Sequence, residues 1–174
     1  MSIGLKFLEE IRIKKCLKHC VGKVLDIGCG NNRLIKSHGR GIGVDVYKWA
    51  GIDVICDGAF LPFKDNTFDT VTFLASLNHI PKRLNALIEA NRVLKRNSKI
   101  VITTPGTISG YIIHKIGGLL WDKDQKVRGM KDGEVFGLSE PYVQGLLENA
   151  EFDKIKKYPF EFGLNSLYIA YTKK

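Results

Sequence analysis

Asp26, Asp45 and Asp57 each stand at or near the end of a short apolar run. Between the first two runs lies Gly28-Cys29-Gly30-Asn31-Asn32. The first glycine permits a tight turn, and the second removes a side chain so that backbone can approach a ligand closely. A carboxylate at Asp26 can accept hydrogen bonds from a cationic or hydroxylated group. One at Asp45, ending the next run, can hold both hydroxyls of a ribose. Asp57 ends the run after that, at the same edge. Taken singly, each aspartate is an ordinary turn or capping residue, and glycine pairs also build plain turns. Three carboxylates around one glycine turn point instead to a nucleoside-like ligand.

Other reactive side chains have competing readings. His79 can serve as a base, or as a helix-start histidine bonded to backbone or water. Cys16 and Cys20 lie four apart with His19 beside them, which suits part of a metal site or a pair of buried thiols. No second ligand cluster follows and no Cys-x-x-Cys pair occurs, so the thiol reading is preferred and no metal is expected.

The elements that position these residues follow an α/β alternation. Residues 3–19 read as a helix with Phe7, Leu8 and Ile11 on one face. Strands are expected at 23–27, 41–46, 52–56, 68–74 and 99–104, with a short helix at 31–37. Pro81 opens a helix whose apolar positions are Leu84, Leu87, Ile88 and Leu94. The stretch 108–120 is apolar and reads as helical, and 121–137 as a polar loop or cover. Ser139 and Pro141 start a last helix with Val143, Leu146, Leu147 and Ala150 inward. Segments 152–162 and 166–172 close the chain as two strands around Gly163-Leu164-Asn165. Ligands in open α/β sheets sit beyond the carboxyl ends of the strands, where the aspartates fall.

On these residues the sequence resembles the class I S-adenosylmethionine-dependent methyltransferases, especially the small-molecule type. Val24 to Gly30 looks like the family's first motif and Gly43-Val44-Asp45 like its second. Cys56 to Phe63 is similar to the third, Asp65 to Asp69 continues it, and Leu77-Asn78-His79-Ile80 resembles the segment beside the transferred methyl. The resemblance is detailed over residues 22–105 and looser beyond. It implies a Rossmann-like three-layer α/β sandwich, with a mostly parallel seven-stranded sheet and an antiparallel C-terminal hairpin.

The resemblance also implies S-adenosyl-L-methionine as cofactor and S-adenosyl-L-homocysteine as product. Gly28, Cys29 and Gly30, supported by Asp26, would approach the methionine part. Asp45, with Val46 after it, would bind the ribose, and Asp57 with Gly58 the adenine edge. Leu74, Ala75 and Ser76 would floor the sulfonium, and His79 would be the base. A cover over 106–136, carrying His114, Trp121, Arg128 and Glu134, would contact the acceptor. His114 also suits a structural histidine, and Trp121 a core position. The chain departs from the family at Asn32, where a third glycine is usual but Asn tolerates left-handed backbone. It departs again in the short 45–57 connection, which leaves little room for a crossover helix, and at Glu151, where glycine is common and no consequence is expected.

Length and composition bound the rest. The chain has 174 residues, 44% hydrophobic and 26% charged, which suits one folded domain over 1–174. No apolar run approaches the roughly 20 residues of a membrane span, and early charges break any signal core, so a cytoplasmic location is expected. The net charge of +9 admits a nucleic-acid partner as well as a solvated surface. A small-molecule acceptor is the leading expectation. An RNA or protein methyltransferase, a non-catalytic cofactor-binding module and a nicotinamide oxidoreductase are the rivals. The oxidoreductase is disfavoured by the missing third glycine and by the closing hairpin.

Overall fold

The computed structural model describes residues 3–107 and 132–174, with backbone alone for 3–7. Strands β1 (Val24–Ile27), β2 (Gly41–Asp45), β3 (Val54–Ile55), β4 (Phe68–Leu74), β5 (Leu94–Pro105), β6 (Phe152–Phe160) and β7 (Asn165–Thr172) form one sheet. Their order is β3-β2-β1-β4-β5-β7-β6. The first five run parallel, while β7 is antiparallel to both β5 and β6. Order reverses at β1, between β2 and β4, which is where a crevice opens at the strand ends.

Helices cover both faces. Along β5, Ile100 and Ile102 join one apolar cluster and Val101 the other, as strand alternation requires. On the first face lie α3 (Arg83–Val93) and α4 (Glu140–Asn149), which bury Ala86, Leu87, Ala90, Val143 and Leu147. On the second face α1 (Ile3–Leu17) and α2 (Arg33–His38) bury Cys16, Leu34 and Ile35. The central strands β1 and β4 are buried on both faces, so β1 reads as a continuous buried run.

Several expected boundaries move for local reasons. α3 starts at Arg83 because Lys82 has ψ 56 and a single 3-10 turn, Leu77–His79, precedes it. Ile88, expected inward, is 48% exposed. β3 shrinks to two residues because the Asp53 carboxylate turns in to accept the Gly43 and Asn32 N–H groups at 2.7 and 2.8 Å. β5 begins at Leu94, pairing with Phe68 before a register irregularity. The closing turn is 161–164 rather than 163–165, since Glu161, Phe162 and Gly163 are left-handed and Asn165 already pairs with Phe160. Glu151 has φ 61, so the position does prefer glycine and carries strain of about 1 kcal/mol.

The short 45–57 connection holds no helix. Asn32, left-handed at φ 58, replaces that support with its side chain. Its amide donates to Gly51 O at 2.9 Å and Asp53 Oδ2 at 2.8 Å. A Cβ on Gly43 would collide with that amide, so Gly43 and Asn32 require each other.

Candidate functional site

At the carboxyl ends of β1, β2 and β4 lies a cavity of about 390 Å³. Gly28, Gly30, Asp45, Val46, Asp57, Gly58, Ala75 and His79 all line it. A second cavity of about 210 Å³ adjoins it and shares Gly28, Gly30 and Trp49 with it. Asp26, Cys29 and Leu74 face this smaller space rather than the larger one. The expected site residues within the described segments therefore come together, divided between two adjoining chambers. His114, Trp121 and Arg128 lie outside the described residues, as does most of the 106–136 cover.

The glycine turn is shaped by packing. Gly28 has φ 74, and a Cβ there would run into Ser76, whose hydroxyl donates to Ile27 O at 2.5 Å. Gly30 has φ 51, and a Cβ there would meet nothing within 4 Å, because it would project into open space. One glycine thus permits the turn, and the other keeps a cradle free. Asp45 ties the turn to β2: its carboxylate accepts from Gly30 N at 3.1 Å and Tyr47 N at 3.0 Å. Asp57 accepts from Ala59 N at 2.9 Å, which orients its carboxylate at the loop start. Ala75 is left-handed at φ 53, and its N–H is held by Thr103. A non-glycine residue held there is strain of the kind that gathers at functional sites.

Asp26 is buried at 1% exposure, its carboxylate taking the Thr72 hydroxyl at 2.7 Å. Burial pushes its pKa up to about 7, with Asp45 adding to the rise and the Thr72 hydrogen bond opposing it. The Cys29 thiol is pushed far up, by burial first and then by Asp26, Asp45 and Asp53, which disfavours the thiolate. Cys16 and Cys20 are buried, with sulfurs 4.0 Å apart. Among the described residues no group of three or more His, Cys, Asp or Glu could hold a metal.

At the far end of the larger cavity, His79 Nδ1 lies 3.5 Å from Glu134 Oε2. Asn78 Nδ2 donates to Val135 O at 3.2 Å, which fixes the amide nitrogen, and the same nitrogen faces His79 Nε2 at 3.0 Å. Nε2 therefore accepts, and Nδ1, on the side of Glu134, carries the ring hydrogen. Arg83, buried, clamps this corner by donating to Asn78 O and Gly133 O.

Two lining residues, Trp49 and Arg12, have no part in the sequence expectations, and Glu134 takes a different one. Trp49 borders both chambers from the helix-free connection. Glu134 was expected in the cover, but not as the partner of His79. Arg12 lines the smaller chamber. The signal for Arg12 was legible, since it falls four residues before the buried Cys16 and after Leu8, a charge within an otherwise apolar stripe.

Residues 25–102 match the family described as a methyltransferase domain. An uncharacterised protein of Methanocaldococcus jannaschii is 34% identical over 143 residues, covering 78% of this chain and 66% of that protein. This chain thus spans about two thirds of that relative's length. The demethylmenaquinone methyltransferase of Staphylococcus haemolyticus is 27% identical across 87% of this chain and 77% of its own length. A solved S-adenosylmethionine-dependent methyltransferase of Archaeoglobus fulgidus superposes with a TM-score of 0.74 at 20% identity, covering 96% of this chain and 94% of that one.

Proposed function

We propose, for a chain that belongs to the class I S-adenosylmethionine-dependent methyltransferases, that the acceptor is a small molecule and that His79 and Glu134 manage its proton. The cofactor is S-adenosylmethionine. The residues fit it: the open cradle above Gly30 admits a ligand, and the two chambers meet at the glycine turn. When bound, the cofactor supplies a methyl already activated on a sulfonium sulfur, so the protein contributes position and surroundings. In this reading Asp45 binds the ribose hydroxyls and Asp57, with Gly58, the adenine edge. Gly28 and Gly30 present backbone to the methionyl part, and Ala75 floors the sulfur.

The observation that carries the acceptor reading is the His79–Glu134 pair at the end of the larger cavity. An acceptor hydroxyl that displaces the Asn78 amide places its hydrogen against His79 Nε2. The imidazole takes that proton as the oxygen becomes nucleophilic, and Glu134 stabilises the imidazolium. Alignment of the acceptor supplies the rest of the acceleration, worth about 7–11 kcal/mol when orientation is good. The demethylmenaquinone methyltransferases among the relatives support a small acceptor. The cavity lies within the usual 300–1,000 Å³ of small-molecule sites. The whole of 1–174 acts as one catalytic domain.

The test is the fate of labelled methyl. Protein incubated with methyl-tritiated S-adenosylmethionine and a cell extract is expected to label the small-molecule fraction. Label confined to RNA or protein would overturn the small-acceptor reading. Cofactor binding without transfer to any fraction would favour the non-catalytic module.

A further inference from the structure

α1 carries a cation on the face that it turns to the sheet. Arg12 lines the smaller chamber, and its Nε is buried with no hydrogen-bond partner among the described residues. A buried guanidinium donor left without a hydrogen bond is costly. Burial lowers its pKa from the ordinary arginine value, and the carboxylates of Glu161 and Glu9 draw it back. Both carboxylates have other partners. Glu9 holds Arg33 at 2.5 Å, and Glu161 accepts the Asn165 amide. Arg33 is likewise engaged, by Glu9 and Glu10. Arg12 is therefore the chamber cation whose donor is left for a visitor.

The chamber has opposite charges on its walls. Arg12 lies on α1, and Asp26 lies on β1 with a cold shoulder to solvent at 1% exposure. Gly28 and Gly30 line this chamber and the larger cavity alike. A cation and a carboxyl flanking one small space suit a zwitterion, with its carboxylate at the arginine and its ammonium at the aspartate. We propose that Arg12 is the counter-ion of the cofactor's α-carboxylate, so that α1 is a cationic latch over the amino-acid end, with Asp26 taking the ammonium. The proposal rests on the reading of the larger cavity as the adenosyl site.

The test separates the two ends of the ligand. S-adenosylhomocysteine carries the amino-acid end, whereas 5′-methylthioadenosine keeps the nucleoside and sulfur without it. Calorimetric titration of the full chain is expected to show Arg12→Met weakening S-adenosylhomocysteine at least tenfold while methylthioadenosine changes less than twofold. Arg12→Lys should restore part of the loss. Equal weakening of both ligands, as a merely structural arginine would produce, overturns the latch, as does no weakening of either. Should the variants fail to fold, hydrogen exchange on the parent decides. S-adenosylhomocysteine should slow exchange over residues 9–17 and methylthioadenosine should not; equal protection by both overturns the latch. If methylthioadenosine fails to bind the parent at all, the adenosyl reading falls, and the latch with it.

Discussion

At the scale of single residues, the account is one of carboxylates given different work by their surroundings. Asp45 and Asp57 keep their oxygens at the larger cavity while bonding backbone. Asp26 is buried against Thr72, and its pKa of about 7 makes folding sensitive to pH. The folded chain holds this proton more tightly than the unfolded one, where an aspartate titrates near 3.8. The stability involved is full below about pH 4 and is lost as pH rises through 7, by on the order of a few kcal/mol. Asp26→Asn is expected to flatten that decline in denaturant titrations run between pH 4 and 8. An unchanged slope would show that Asp26 is not the group responsible. Thr72 and Asp45 act on it directly, and Arg12 and Glu9 line the same chamber. A bound ammonium would draw the Asp26 proton off, so S-adenosylhomocysteine should bind more tightly at pH 8 than at pH 6. A His79→Gln variant should lose transfer to a hydroxyl acceptor by ~10²–10⁴-fold while retaining cofactor affinity. Equal loss of cofactor affinity would place His79 in binding instead.

Elements explain why those residues meet. The 57–65 loop is fastened by Arg92 on α3, which donates to Leu61 O at 3.0 Å and Phe63 O at 2.7 Å while pairing with Glu89 and Asp65. Arg92→Met should cost about 2 kcal/mol, read as a lowered unfolding midpoint, because two carbonyls lose a charged donor. A neutral result would mean the loop holds itself. Asn32 does the same for the 45–57 connection, and Trp49 on that connection borders both chambers. With Trp121→Phe as background, Trp49 is the remaining indole, and its fluorescence should change as S-adenosylhomocysteine binds. A silent titration at saturating ligand would remove Trp49 from the site. The parallel strands, the glycine turn and the closing hairpin were legible because each has a local cause. Apolar runs, paired glycines and a Ser-Glu-Pro helix start act within a few residues. Boundaries near 53, 82 and 161 were not, since they depend on where the Asp53 carboxylate turns and on left-handed residues without glycine. Glu134 was hidden for a related reason: its partner His79 is distant in the chain and only the fold brings the two together.

For the molecule as a whole, one cluster of lysines gathers around His19. Lys15, Lys18 and Lys99 lie close enough to His19 to lower its pKa, behind the larger effect of its burial. They stand at the end of α1 and where β5 resumes pairing with β4 after the register irregularity, and none of them lines the larger cavity. The +9 charge does not by itself identify the acceptor. Retention on RNA is expected to vanish as salt rises from 50 to 200 mM, the mark of non-specific attraction. No helix among the described residues is long and apolar enough to cross a membrane. The central claim is that the glycine turn, Asp45 and Asp57 form one adenosyl pocket, and calorimetry with S-adenosylhomocysteine tests it most directly. The parent should bind one equivalent, and a folded Asp45→Ala variant should bind at least about tenfold more weakly, as the loss of charge-assisted hydrogen bonds worth ~1.5–3 kcal/mol requires. Undiminished affinity in a folded Asp45→Ala chain would contradict the account.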